Sequence, residues 1–191
     1  MPLESNDRRE QRVAKLEALR AQGIEPFPAR VSATHTAAQA LAAFEPAAGP
    51  SAAEGEAVVV AVPGRVMAVR VMGKSLFAHI ADGTGRIQVY LRQDVVGAEA
   101  YDAFRKLVDL GDFCLVHGRL FRTRTGEITI EASAWEFLSK ALRPLPEKWH
   151  GLRDVELRYR QRYLDLLTND EARRIFVLRT RAVSAVRRFL D

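Results

Sequence analysis

The sequence predicts a mainly β domain with helices: a five-stranded antiparallel barrel, with a helix ahead of it and further helices behind. Three observations carry this. Between Val58 and Phe137, apolar residues recur at alternate positions in five stretches parted by glycine-containing turns. A single stretch at helical spacing interrupts them after the third strand. The whole pattern fits in about 80 residues, short for the roughly seven strands of a sandwich.

The elements follow in order. Asp7 and Glu10 resemble a capping box, and Val13, Leu16 and Leu19 form one stripe of a helix that Gly23, Pro26 and Pro28 bring to an end. Residues 33–55 are Ala-rich; Thr36 is placed to cap a short helix through Phe44, and Pro46 to Gly55 reads as a linker. Val58, Val60, Val62, Val66, Ala68 and Val69 give the first strand, with a break at Gly73-Lys74. Leu76 to Ile80 give the second. After the turn Asp82-Gly83-Thr84-Gly85, Ile87, Val89 and Leu91 alternate with Arg86, Gln88 and Tyr90 in the third. Ala100, Phe104, Leu107 and Val108 recur at helical spacing before Gly111-Asp112. Phe113–Arg122 and Glu127–Phe137, joined at Thr125-Gly126, complete the set. Three strands, a helix and two strands make the ground plan of an OB-fold. The organisation expected is an N-terminal helix and linker (1–55), the barrel (56–142), and a connector with helices (143–191).

In that last segment Leu142 to Pro146 reads as extended, since proline disfavours helix at the residue before it. A helical region from near Arg153 is expected to bury Val155, Tyr159, Tyr163, Leu164, Leu166 and Leu167 and to expose Arg153, Arg158, Arg160 and Arg162. Thr168 and Glu171 read as a capping box for a final helix whose stripe is Ile175, Leu178, Ala182, Ala185 and Phe189.

Composition narrows the function. Of 191 residues, 48% are hydrophobic and 28% charged, the balance of a globular protein. The longest apolar run, Ala57 to Val62, is far shorter than the roughly 20 residues that span a bilayer. MPLESNDRRE has no apolar segment and mixed charge, so a cytoplasmic location is expected, with no membrane partner. Cys114, the one cysteine, sits in an apolar run and reads as a core residue. His35, His79, His117 and His150 lack metal-ligand spacing, no Gly-rich phosphate loop is present, and no serine nucleophile motif occurs. The net charge is +5, and between positions 65 and 92 Arg65, Arg70, Lys74, Arg86 and Arg92 are opposed only by Asp82. That stretch is either a basic binding face or a solvated strand surface.

OB-folds bind oligonucleotides on the face of strands two and three, which here carry Phe77, His79, Arg86, Gln88 and Tyr90. An aromatic ring gains about 1–3 kcal/mol by stacking on an unpaired base, and Phe77 is a candidate for that or for the core. Gln88, outward if Ile87 and Val89 face in, offers an amide to a base edge or only to water. Arg70 and Lys74 flank the turn into the second strand, and Glu127 at the last turn is placed to accept from a base amine or to decorate the surface. The residues alone point to a nucleic-acid-binding module with a trailing helical segment.

Arg65-Val-Met-Ala-Val-Arg-Val-Met-Gly-Lys-Ser-Leu-Phe77, Asp82-Gly-Thr-Gly-Arg-Ile-Gln88, Lys140-Ala-Leu-Arg-Pro-Leu-Pro-Glu-Lys-Trp-His-Gly-Leu-Arg-Asp154 and Arg158-Tyr-Arg-Gln-Arg-Tyr-Leu-Asp-Leu166 together resemble the class II lysyl-tRNA synthetases. The resemblance runs from about Arg8 onward and is weakest over 33–55. Aspartyl- and asparaginyl-tRNA synthetases share the barrel and are the alternative relatives. The resemblance implies that the barrel reads the uridine-rich anticodon of lysine tRNA. Phe77 would then stack on the central base, Arg70 and Gln88 would bond its edges, and Glu127 would read a neighbour.

The family's complete enzyme is a homodimer that forms lysyl-adenylate from lysine and ATP with Mg2+ and transfers lysine to tRNA. Of its three catalytic motifs only the start of the first resembles this sequence, at Ala172 to Asp191; the two that hold ATP have no counterpart. The expectation is therefore an anticodon-recognition part that is inactive alone, with no cofactor or catalytic residue of its own, against the alternative of a stand-alone OB-fold RNA-binding module. An exposed stripe at Ile175, Leu178, Val186 and Phe189 is what separates them, since an autonomous module would cover it.

Overall fold

The computed structural model describes residues 3–47, 58–145 and 154–191. Of the linker expected from Pro46 to Gly55, Pro46 and Ala47 are helical instead, and residues 48–55 lie outside the described residues, as do Pro146, His150 and Arg153 of the connector. The chain divides into two compact units, Met1–Pro144 and Leu145–Asp191.

In the first unit the strands are β1 (Val59–Met72), β2 (Ser75–Ala81), β3 (Arg86–Arg92), β4 (Phe113–Arg122) and β5 (Ile128–Ser139). They close in a ring in the order β1-β2-β3-β5-β4. The sequence predicts antiparallel strands throughout, and the structure corrects this: β3 and β5 run parallel, Gln88 opposite Thr129 and Leu91 opposite Ala132. The reason is parity. Five strands cannot alternate direction around a closed ring, so one neighbouring pair must agree.

β1 serves two partners, pairing through Val59–Arg65 with β4 and through Arg65–Met72 with β2. It can bend between them because Gly64 has no side chain; a Cβ there would lie 2.9 Å from that of Ile80. Alternate residues then fill the ring. Val60, Val62, Val66, Leu76, Ala78, Ile80, Ile87, Val89, Leu91, Val116 and Ile130 are all buried in one cluster. Cys114 joins the buried core, where burial pushes its thiol pKa up and keeps it protonated.

Helices close the ends. α2 (Ala37–Ala47) runs slightly past the expected Phe44, and Thr36 and Gln39 make a reciprocal capping box, Gln39 N to Thr36 Oγ1 at 3.3 Å and Thr36 N to Gln39 Oε1 at 2.8 Å. Its other orphan N–H groups find the β2–β3 turn: Ala37 N donates to Asp82 Oδ2 at 2.8 Å and Ala38 N to Thr84 Oγ1 at 3.1 Å. Asp82 Oδ1 also accepts from Thr84 N and Gly85 N, at 2.7 and 3.0 Å. Burial alone would raise the Asp82 carboxyl, and these hydrogen bonds hold it below its usual value. At the other end of β2, two helices follow β3, α3 (Gln93–Val96) and α4 (Ala98–Leu107), and α4 buries Tyr101, Phe104 and Leu107. Tyr101 Oη donates to Gly73 O at 2.9 Å and Ser75 O at 3.1 Å, tying α4 to the β1–β2 hairpin.

α1 (Leu3–Ala21) buries Leu16 and Leu19 as its stripe predicts. It is fastened by charge. Lys140 Nζ, with its side chain fully buried, donates at 2.7 Å to Leu107 O, Asp109 Oδ2 and Asp112 Oδ2. Lys15 of α1 reaches Asp109 Oδ1 at 2.6 Å, and Arg12 donates to Ala141 O at 2.7 Å and Leu110 O at 3.0 Å. Burial would raise the Asp109 carboxyl, but Lys140 and Lys15 hold it low.

The second unit holds α5 (Val155–Arg160), α6 (Arg162–Thr168) and α7 (Asp170–Leu190). Here two expectations are corrected. The helical region breaks at Gln161, and Val155, Tyr159 and Tyr163 are exposed, Tyr159 by 72%. The buried residue is Asp165, which accepts from Arg158 Nε at 2.9 Å and Arg162 Nη1 at 2.5 Å, so two of the arginines expected to point outward turn toward it. The cap of α7 is Asn169, accepting from Ala172 N at 3.1 Å, while Thr168 Oγ1 donates back to Leu164 O. Ile175, Leu178, Val186 and Phe189 are exposed, as the stripe predicted.

Gly118→Ala is expected to lower stability by about 1–3 kcal/mol, read as a shift in urea midpoint, because its Cβ would lie 2.0 Å from Glu131 O across the bulge at His117/Gly118. Lys140→Met should cost about 3–5 kcal/mol, since the buried Asp112 carboxylate loses its cation and the half-buried Asp109 is left with Lys15 alone. Asp82 and Asp109 have lowered folded-state pKa values, so they stabilise the fold above the unfolded carboxylate value and that contribution is lost as pH falls through the folded ones. Urea midpoints measured from pH 6 to pH 2 should fall with acid, and less steeply in Asp82→Asn.

Candidate nucleic-acid interface

The outward positions of β2 and β3 are fixed by the inward ones. Because Leu76, Ala78 and Ile80 are buried, Phe77 and His79 face out; because Ile87, Val89 and Leu91 are buried, Gln88 and Tyr90 do. The register sets Arg70 of β1 opposite Phe77, Phe77 opposite Tyr90, and His79 opposite Gln88. Gln88 in turn faces Thr129 of β5. All four residues singled out by chemistry, Arg70, Phe77, Gln88 and Glu127, therefore lie on one outer face of the ring.

Phe77 is on the surface, not in the core. Its ring stacks on Tyr90 at 4.5 Å between centroids and 22° between planes, and Tyr90 meets Phe121 at 6.2 Å. With one face against Tyr90, the Phe77 ring has the other to offer. One rung along, Glu127 Oε2 accepts from Gln88 Nε2 at 2.7 Å, its Oε1 lies 3.0 Å from His79 Nε2, and Gln88 Oε1 accepts from Thr129 Oγ1 at 2.8 Å. A polar cluster thus adjoins an aromatic one. Stacking surface beside oriented amide and carboxylate groups suits an unpaired base, whose faces are aromatic and whose edges carry donors and acceptors.

The cations of this region divide into two groups. Arg65 sits 4.2 Å over the Phe113 ring and donates to Gly111 O, and Arg92 pairs with Asp94 and Glu131. Among the described residues the side chains of Arg70, Lys74 and Arg86 have no hydrogen bond or ion pair. Arg70 and Lys74 are exposed beside the aromatic cluster, free to meet phosphate or base. His79, Tyr90 and Thr129 were not singled out as site residues from the sequence. The period of two was enough to place His79 and Tyr90 outward with Phe77 and Gln88; only strand order brings Thr129 to Gln88. No group of three His, Cys, Asp or Glu side chains among the described residues is arranged to hold a metal ion, and no described helix is long and apolar enough to cross a membrane.

Comparison with known proteins agrees with this geometry. Residues 60–138 match the tRNA anticodon family of OB-fold nucleic acid binding domains. Over 177 residues, 93% of the chain, it is 52% identical to a lysine–tRNA ligase of Pelotomaculum thermopropionicum, covering 33% of that protein. It is 45% identical over 188 residues to the lysine–tRNA ligase of Bacillus subtilis, and 46% identical over 192 to that of Moorella thermoacetica, covering 37% of each. The chain thus spans about a third of the length of the curated relatives it matches. With an OB-fold domain of the anticodon-binding kind at residues 60–138, and with 93–100% of its length aligned to those ligases at 45–52% identity, the chain corresponds to about a third of a lysyl-tRNA synthetase.

Proposed function

We propose that this chain recognises the anticodon stem-loop of lysine tRNA through the outer face of β1, β2 and β3. The observation that supports it best is the pairing of a surface-held Phe77 with the oriented Gln88–Glu127 couple one rung away. Phe77 stacks on the central anticodon base, Arg70 and Gln88 bond its edges, and Glu127 reads a neighbouring base. The unpaired charge of Arg70 and Lys74 draws the phosphate backbone to this face.

Attachment of lysine to tRNA through lysyl-adenylate, by a cytoplasmic homodimer using ATP and Mg2+, is the activity we assign to the complete protein of this family. No step of that chemistry is assigned to the described residues. We take the exposed stripe of α7 to support a role within a longer protein, against that of a free-standing RNA-binding module.

Binding of the chain to anticodon stem-loops bearing UUU, UCU and GUC, at fixed near-physiological salt, tests this. UUU should bind tightest; a preference for GUC would reassign the chain to an aspartate-type reader, and equal, steeply salt-dependent binding would make it a backbone binder. Phe77→Ala should weaken UUU binding by about 1–3 kcal/mol, and unchanged affinity would overturn the stacking role. Arg70→Ala should lower affinity, and should also reduce the salt dependence if its contact is to phosphate.

A further inference from the structure

A carboxylate on a face that meets RNA repels the phosphates that the neighbouring cations attract. On the outer side of β5, Glu131 is answered by two arginines, Arg119 Nε at 2.5 Å and Arg92 Nη1 at 3.5 Å. Glu127 has no lysine or arginine at ion-pair distance among the described residues. Its Oε2 accepts from a neutral amide, Gln88 Nε2, and its Oε1 lies 3.0 Å from His79 Nε2. Its backbone is fixed as well, Glu127 N donating to Thr123 Oγ1 at 3.1 Å and Glu127 O accepting from Thr123 N at 3.0 Å. The charge cannot swing off the face without breaking these bonds, so His79 is the group placed to offset it.

An ionised carboxylate accepts and cannot donate, so Nε2 of His79 carries a hydrogen whether the ring is neutral or charged. The proton that comes and goes sits on Nδ1, which has no hydrogen-bond partner among the described residues. The other charges around the ring stand farther off. Across β1 it faces Ala68, with Arg70 the next charged group along that strand; across β3 it faces Gln88, with Arg86 the next. At the end of β4, Arg122 lies over the Phe44 ring and donates to Gly126 O, and Asp82, past the end of β2, is held by the N–H groups of Ala37, Thr84 and Gly85. A histidine changes charge between about pH 5 and pH 8. The His79–Glu127 couple is therefore neutral at the acid end of that range and carries one negative charge at the alkaline end.

We infer that His79 is a proton-linked positioning residue, which holds the Glu127 carboxylate in place and, by taking a proton on Nδ1, cancels its charge when RNA binds. The inference rests on the anticodon reading above, and the experiment separates the two. Its sign follows from charge. RNA is a polyanion and favours the neutral couple over the negative one, so affinity falls as pH rises through the imidazole titration. By reciprocity, bound RNA draws a proton onto the ring. UUU, UCU and GUC stem-loops are titrated against the parent chain and His79→Gln at fixed ionic strength from about pH 5.5 to about pH 8. Calorimetry in two buffers of different ionisation enthalpy counts the protons taken up.

The parent should bind UUU about two- to fivefold more tightly at the acid end than at the alkaline end, the scale of one exposed charge pair, and should take up a fraction of a proton in between. His79→Gln keeps an N–H for Glu127 but cannot titrate, and should flatten the profile and remove that uptake; a purely structural role would lower affinity equally at every pH. In the parent itself, the His79 imidazole resonance should titrate at higher pH with UUU RNA bound than without it. A flat parent profile, a profile that His79→Gln retains, or an imidazole titration that RNA does not move overturns the inference, while a preference for UUU leaves the anticodon reading standing. Loss of that preference at every pH overturns the anticodon reading and the inference with it.

Discussion

Closure of the ring is the constraint from which the remainder follows. Once β1 bonds β4 through its first half and β2 through its second, each strand has a single inner face, and the identity of every outward residue is settled by its neighbours. A slip of one residue in β3 would bury Gln88 and Tyr90 and expose Ile87, Val89 and Leu91. The same burial that stabilises the domain therefore aims the polar and aromatic groups of the candidate interface. At about 0.8 kcal/mol per buried methylene, the core chain atoms outweigh any surface preference by a wide margin.

Polar groups do a different kind of work. Asp82 both shapes the β2–β3 turn and supplies an acceptor to the N-terminus of α2, so a loop and a helix end satisfy each other. Lys140 does the same for the opposite region, gathering the carbonyl at the end of α4 and two carboxylates that α1 also reaches. These contacts contribute less net free energy than the core, since their desolvation cost is large. What they fix is position: each helix can dock in one place only, because displacement would leave a buried charge unmatched.

The strands were legible because alternation is local, and β3 and β4 fall where the period of two puts them. Closure by a parallel β3–β5 pair was not, since it depends on residues some 40 positions apart. Phe77, Arg70, Gln88 and Glu127 were recognisable one at a time from their chemistry. Their assembly, with Tyr90 beneath Phe77 and Glu127 bonded to Gln88, comes from strand order. In the second unit the apolar residues of α5 and α6 promised a buried face, but a break at Gln161 divides the region into two short helices and a charged side chain, Asp165, takes the interior place. Periodicity assumes an unbroken helix, and nothing local announced the break. At Thr168 a side chain that bonds its own helix left the capping position to Asn169.

The Gln88 amide has a further consequence. Its carbonyl accepts from Thr129 and its nitrogen donates to Glu127, so the group is already oriented before any ligand arrives. One amide hydrogen and one lone pair remain. A rotor that is free in most exposed glutamines has here surrendered its entropy during folding, and a base that meets it encounters a fixed donor–acceptor pattern. Discrimination at such a position is set by shape and polarity match alone, and a mismatched edge cannot be rescued by turning the amide over without breaking two bonds inside the protein.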